Sequence, residues 1–143
     1  MSHSHNLDRA SVALSVKQPW AELIMLGRKT IEVRTWSTGH RGALFLHTGR
    51  RPAEGAFGLF PDIDARFLGG FIGLIDLVDI EQFGQASWSR LRPQHLVPGP
   101  MPDAAYGWRL ANPRRLATPM KGSGSLGIFP VPTTVAEAPL VIP

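Results

Sequence analysis

Residues 12–34 write out a strand, a tight turn, a short helix and a second strand, and that succession constrains the chain more than any other feature. Val12, Leu14 and Val16 alternate with small or polar residues, the period-two pattern of a half-buried strand. Pro19 suits the first helical position, where its missing N–H removes no bond. Ala21 to Leu26 are mostly good helix formers, and Gly27 suits the left-handed position that ends a helix. From Thr30 the β-branched residues return. In an extended chain Thr30, Glu32 and Arg34 point one way, while Ile31 and Val33 point the other. Apolar side chains then go to a core, and an acid and a base go to one open face. Lys29 sits at the turn beside them.

Further along, 42–48 (Gly-Ala-Leu-Phe-Leu-His-Thr) reads as a third strand with His47 facing opposite to Leu46. Arg50-Arg51-Pro52 begins a loop, and 61–67 could open a short helix. The near-continuous apolar run 69–80 predicts a long strand covered on both faces. A short helix is expected over 85–91. The four prolines between 93 and 102 predict a surface loop. A strand over 105–110 carries Tyr106 and Trp108 on one face; Pro113 interrupts it, 114–117 resumes pairing, and 126–131 makes the last strand. Short strands with interspersed helices, without regular strand–helix alternation, favour an α+β barrel over a doubly wound sheet.

The spacing Gly27-x-Lys29-x-x-Glu32-x-Arg34 resembles the G-x-K-x-x-E-x-R motif of the ASCH family. The upstream Leu14-Ser15-Val16-Lys17-Gln18-Pro19-Trp20, and Trp36 with His40-Arg41-Gly42 downstream, are similar to the ASCH domain of a eukaryotic transcriptional coactivator. Weaker similarity returns at 73–79 and at Tyr106-Gly107-Trp108 through Lys121-Gly122. The resemblance implies a compact PUA-like β-barrel of about five or six strands, with flanking helices roofing a basic cleft. It implies a cleft that takes nucleic acid or a nucleobase. On this basis 1–10 is expected as a disordered N-terminal tail, 11–131 as the ASCH domain and 132–143 as a C-terminal tail, either a peripheral strap or disordered.

At 143 residues the chain is sized for one domain with one proper core. It has no cysteine, so neither disulfides nor thiolate chemistry are available, which fits a reducing cytoplasm. No apolar run approaches the roughly 20 residues that span a bilayer, and the polar N-terminus lacks a signal-peptide stretch; a cytoplasmic protein without a membrane partner is expected. The formal charge is +4, with a pI near 10.3 and basic pairs at Arg28-Lys29, Arg50-Arg51 and Arg114-Arg115. That balance favours an anionic partner, because phosphate neutralisation supplies most non-specific nucleic-acid affinity.

The candidate ligand-binding set is Lys17, Gln18, Lys29, Glu32, Arg34, Arg41, Tyr106 and Lys121. Lys17 and Gln18 fall at the strand-to-helix turn, where helix N–H groups attract anions. Arg41 and Lys121 each neighbour a glycine that lets backbone approach closely. Tyr106 can stack or present its hydroxyl, whereas Trp20 is expected to plug the core. Gly122-Ser123-Gly124-Ser125-Leu126-Gly127 satisfies G-x-G-x-x-G, but it opens a final strand with no helix to follow, so a dinucleotide site is not expected. His3 and His5 fall in the stretch expected to be a disordered tail, and His40, His47 and His95 lack ligand spacing; no metal or cofactor is expected. No serine carries a motif with a histidine base.

Two main functions follow. The first is binding of RNA, or of a nucleoside ligand, through the basic cleft. The alternative is what the resemblance implies, since some compact prokaryotic ASCH relatives are amidohydrolases acting on N4-acylated cytidines: an amidohydrolase that deacylates N4-acylcytidine-type nucleosides, with Lys29 as base or nucleophile and Glu32 as its carboxylate partner; Asp76 or Asp79 could serve instead of Glu32. The amidohydrolase relatives carry a threonine where this chain has Glu32, a departure that Thr30 could offset from the same face. A protein-interaction module built on the 93–102 loop ranks third.

Overall fold

The structure is a computed structural model that describes residues 10–142. The expected N-terminal tail and its histidines therefore lie almost wholly outside the described residues. Six strands form one mixed sheet: β1 (Val12–Ser15), β2 (Ile31–Arg34), β3 (Gly42–Thr48), β4 (Gly70–Gln82), β5 (Tyr106–Lys121) and β6 (Ile128–Pro130). Their order is β2-β5-β4-β3-β1-β6. β1 and β3 run parallel, and every other pairing is antiparallel. Four short helices accompany them: α1 (Trp20–Met25), α2 (Gln85–Arg90), α3 (Arg92–His95) and α4 (Thr133–Ala136).

The expected α+β class and strand count hold, but the sheet is open. β2 ends one edge and β6 the other, and no backbone ladder joins them. The gap is spanned by a side chain: Arg34 on β2 donates from Nη1 to the carbonyl oxygen of Ser15 on β1 at 3.2 Å. The long partners β4 and β5 shift register three times along their shared length, and each bulge bends and twists the ladder toward that near-closure.

The central strands are covered on both faces, as the apolar run of β4 requires. Leu14, Leu44, Leu46 and Ile75 pack under Ala21, Ile24 and Met25 of α1. On the other face Ala13, Phe45, Phe71 and Leu74 pack against Val135 and Ala138. The C-terminal segment is thus a strap over the second face, and its Leu140 bridges to Leu116 on β5. A third cluster joins Ile31 of β2 to Phe83, Trp88 and Leu91 around α2 and α3.

Three expectations need correction. Residues 61–67 form no helix; a single 3-10 turn occurs earlier, at Phe57–Leu59. The proline-rich 93–102 stretch is not wholly loop, because α3 starts at Arg92 and ends where Leu96 turns left-handed. Pro113 does not split the strand. The register jumps from Ala111 (opposite Asp76) to Arg114 (opposite Leu74), so Asn112 and Pro113 occupy a bulge, with Asn112 at φ 54°. A proline costs no ladder bond there.

Candidate nucleic-acid interface

Three chain segments converge at the C-terminal end of β1. Because β3 runs parallel to β1, Ser15 pairs beside His47, and the chain leaving β3 delivers Gly49, Arg50 and Arg51 to that end. Because β6 runs antiparallel, Leu14 pairs with Ile128, and the residues just before β6 arrive at the same place. β2 approaches from across the seam through Arg34. Between them lies a cavity of about 820 Å³ whose walls include Lys17, Trp20, Glu32, Arg34 and Trp36. Arg50 and Arg51 line its far side, with Ser125, Leu126 and Gly127 at the rim.

The floor is a charge chain. α1 ends in a Schellman motif: Gly27, at φ 77°, donates to Ile24 O at 3.0 Å and Arg28 to Leu23 O at 3.0 Å. That reversal tucks Lys29 beneath α1, where it is only 1 % exposed. Its Nζ donates to the carbonyl oxygen of His95 at 2.5 Å. It also lies 3.6 Å from Glu32 Oε1 and 4.8 Å from the centre of the Trp20 ring. Burial lowers the Lys29 pKa, and the Glu32 carboxylate opposes that shift through its charge and a hydrogen bond. Glu32 spends its other oxygen on Arg34, with Oε2 3.1 Å from Nη1. The alternation read from the sequence is real, since Ile31 and Val33 face the third apolar cluster. The face carrying Glu32 is not open, however: Glu32 is buried.

Of the expected binding residues, Lys17, Glu32 and Arg34 come together on the cavity wall. The others lie elsewhere. Gln18 is 1 % exposed; its Oε1 accepts from the Glu22 N–H at 2.8 Å and its Nε2 donates to Phe67 O. Its own side chain thus takes up an amide of the first helical turn. Lys29 lies behind Glu32. Arg41 donates to Thr38 O and His40 O and pairs with Asp79 at 3.5 Å. Asp76 is held by Arg114, so neither aspartate meets Lys29. Tyr106 pairs opposite Arg34 in the ladder, outside the cavity wall. Lys121 donates to Leu68 O at 2.7 Å, lies over Phe67 at 4.6 Å and lines a separate groove with Gln18.

Trp20 packs against the first apolar cluster, as expected, but its role does not end there. It is half-buried and forms cavity wall, edge-on to Phe60 at 5.7 Å. Trp36 stands on the same wall, braced edge-on by Trp108 at 4.8 Å, whose indole N–H donates to the Trp36 carbonyl. The sequence signal for Arg50 and Arg51 was their adjacency after a strand, and the 125–127 wall was visible only as a glycine-rich turn.

Arginine pairing separates this wall from the rest of the surface. Arg28, Arg66, Arg109, Arg114 and Arg115 each meet an acid at Asp62, Asp64, Glu81, Asp76 and Glu22. Among the described residues the cations whose side chains make neither ion pair nor hydrogen bond are Lys17, Arg50, Arg51 and Arg90. Three of those four line the one cavity. No group of acids and histidines suited to a metal occurs among the described residues, and no helix among them is long and apolar enough to cross a membrane.

An open mixed sheet with short helices and a basic pocket in its seam fits the PUA-like α+β class. Solved structures agree: an ASCH protein from Zymomonas mobilis superposes with TM-score 0.60 at 15 % identity, covering 85 % of this chain and 87 % of that one. A serine-to-alanine variant of the same protein gives TM-score 0.62 at 15 % identity, covering 87 % and 90 %. At such identity these likenesses establish the fold. The ASCH domain family model matches residues 14–120, and the chain belongs to that family. Activating signal cointegrator 1 is 37 % identical in Mus musculus and 35 % identical in Homo sapiens, in alignments 79 residues long that cover 46 % of this chain. The matched stretch is 14 % of the length of those relatives.

Proposed function

We propose that the protein binds RNA through the seam cavity. The observation that carries this reading is the clustering of Lys17, Arg50 and Arg51, unpaired, on a wall that also holds two half-buried tryptophans. Four cations, counting Arg34, face one carboxylate there, and that carboxylate is already satisfied by Lys29 and Arg34. Cations without internal partners are free to neutralise phosphates, and tryptophan faces suit unstacked bases. Both features favour single-stranded or structured RNA with accessible bases over a uniform duplex. Titration of a short single-stranded RNA and its DNA counterpart at two salt concentrations tests the reading. Binding that weakens steeply with salt supports it, and no measurable binding at low salt contradicts it.

The amidohydrolase alternative has less support. Its general base would be Lys29, yet that amine faces His95 O, Glu32 and the Trp20 ring, behind the cavity wall. Release of cytidine from N4-acetylcytidine would revive it.

A further inference from the structure

We propose that Ser15 and His47 form a nucleophile–base pair that cleaves small carboxylic esters where the seam cavity meets a second, smaller one. This site borders the cavity proposed for RNA and shares Arg50, Trp20 and Trp36 with it, but its chemistry rests on a hydroxyl and an imidazole that phosphate binding does not require. Ser15 Oγ lies 2.9 Å from His47 Nδ1, and the opposite ring nitrogen lies 2.9 Å from the carbonyl oxygen of Gly122. A carbonyl can only accept, so Nε2 carries the ring hydrogen and Nδ1 is left as the acceptor for the serine hydroxyl. Gly122 O thereby fixes the imidazole in the tautomer that a general base needs, the part a buried carboxylate plays in serine hydrolases. The ring is held edge-on by Phe71 at 4.9 Å and Phe129 at 5.7 Å.

Ser15 belongs to the walls of both cavities. The smaller, about 470 Å³, is built largely from glycines (Gly49, Gly69, Gly122 and Gly124), and Arg50 is the one charged residue on its wall. Gly124 and Gly122 pack directly on the His47 and Phe71 rings, whereas Gly49 stands clear of Ser15 Oγ; the space beside Ser15 suits a short acyl group, and the Arg50 guanidinium on the same wall is available to a developing oxyanion. The larger cavity, with Trp20 and Trp36, offers the leaving alcohol a flat aromatic surface beside cations. The substrate class is therefore a short-chain ester of a flat alcohol, favourably one that bears an anionic group.

The step balances without a metal or redox partner. Ser15 Oγ adds to the ester carbonyl carbon as its proton passes to His47 Nδ1, and the carbonyl π pair moves onto oxygen. Collapse breaks the bond to the alcohol, whose oxygen takes that proton and leaves Ser15 acylated. Water then adds to the acyl carbon, giving its proton to Nδ1. The carboxylic acid departs as Ser15 Oγ recovers the proton.

Burial holds the His47 pKa below its usual value of 6.5, opposed by the Gly122 carbonyl, and no acid or base is among the causes. The acid limb of ester cleavage is therefore expected below pH 6.5.

The test needs no RNA, so its failure leaves the binding proposal standing. The full chain is treated with diisopropyl fluorophosphate and the modified peptide located by mass spectrometry, while p-nitrophenyl acetate reports turnover. The expected result is an adduct on Ser15, turnover abolished in Ser15→Ala, and labelling slowed by about 100-fold or more in His47→Gln. That glutamine can keep a tether to Gly122 without a basic nitrogen, and thermal melts confirm that each variant is folded. A folded parent protein that acquires no adduct at Ser15 overturns the proposal without reference to any variant. So does equal labelling of the parent and a folded His47→Gln.

Discussion

Glu32 Oε1 lies 3.6 Å from Lys29 Nζ in a place where their side chains are 8 % and 1 % exposed. Water cannot screen that pair well, and Lys29 has no other carboxylate within reach. Neutralising the acid would leave an ammonium held by His95 O and an aromatic ring. Removing one partner of a buried pair costs about 3–5 kcal/mol. Glu32→Gln is therefore expected to lower unfolding free energy by about 3 kcal/mol, read from urea denaturation. Loss below about 1 kcal/mol would place the pair among surface ion pairs. The double change Glu32→Gln with Lys29→Met should recover part of the loss, since no unpaired charge then remains buried.

Gly27 makes the turn that delivers Lys29. Its φ of 77° lies in the left-handed region, and a Cβ there would meet nothing within 4 Å. The cost of Gly27→Ala is then backbone strain alone, about 1–2 kcal/mol. A neutral or stabilising result in thermal melts would contradict the Schellman assignment.

Acid should destabilise the fold through two buried imidazoles, His47 and His95. Burial is the larger cause lowering both His47 and His95; Gly122 O and Trp88 O oppose it, and the charges of Lys29 and Arg92 depress His95 further. His95 Nδ1 accepts from the Val97 N–H at 3.0 Å, a bond that protonation would break. Each imidazole thus binds fewer protons folded than unfolded below 6.5. Stability is full above that value and is lost as pH falls from 6.5 toward the folded pKa values. Urea midpoints should drop between about pH 7.5 and pH 5.5, and His95→Gln should flatten part of the slope. Equal midpoints at the two pH values would show that neither ring is held neutral.

Trp36 is braced edge-on by Trp108, lies under the Arg34 guanidinium at 5.7 Å and lines the cavity. If a base stacks there, Trp36→Ala should weaken RNA binding by about 1–3 kcal/mol while leaving the salt slope unchanged. An altered slope with unchanged low-salt affinity would mean that the ring orders the cations and stacks on nothing.

Local pattern made much of the fold legible. β3 runs over the expected 42–48 because a glycine and an apolar run bound it, and the turn at Gly27 was marked by its residue type. Pro113 misled because a proline reads as a break unless the partner strand's bulge is known. Within the site, Glu32 and Arg34 were legible from the period of two. The burial of Lys29 was not, since the covering atoms come from α3, more than sixty positions away. Arg50, Arg51 and the 125–127 wall reach the cavity only through the pairing of β3 and β6 with β1. Ser15 and His47 lacked a motif for the same reason: parallel pairing across 32 positions makes them neighbours.

Lys17, Arg50 and Arg51 are the residues proposed to meet phosphates in the seam. The most direct test is the slope of log affinity against log salt for single-stranded RNA, in the parent protein, in Lys17→Ala/Arg50→Ala/Arg51→Ala, and in Arg90→Ala. Each lost single-strand phosphate contact removes about 0.7 from the slope, so the triple variant should be shallower by about 2. Arg90→Ala, equally unpaired but absent from the cavity wall, should match the parent. Parallel slopes for the triple variant and the parent, or an equal loss in Arg90→Ala, would contradict the account.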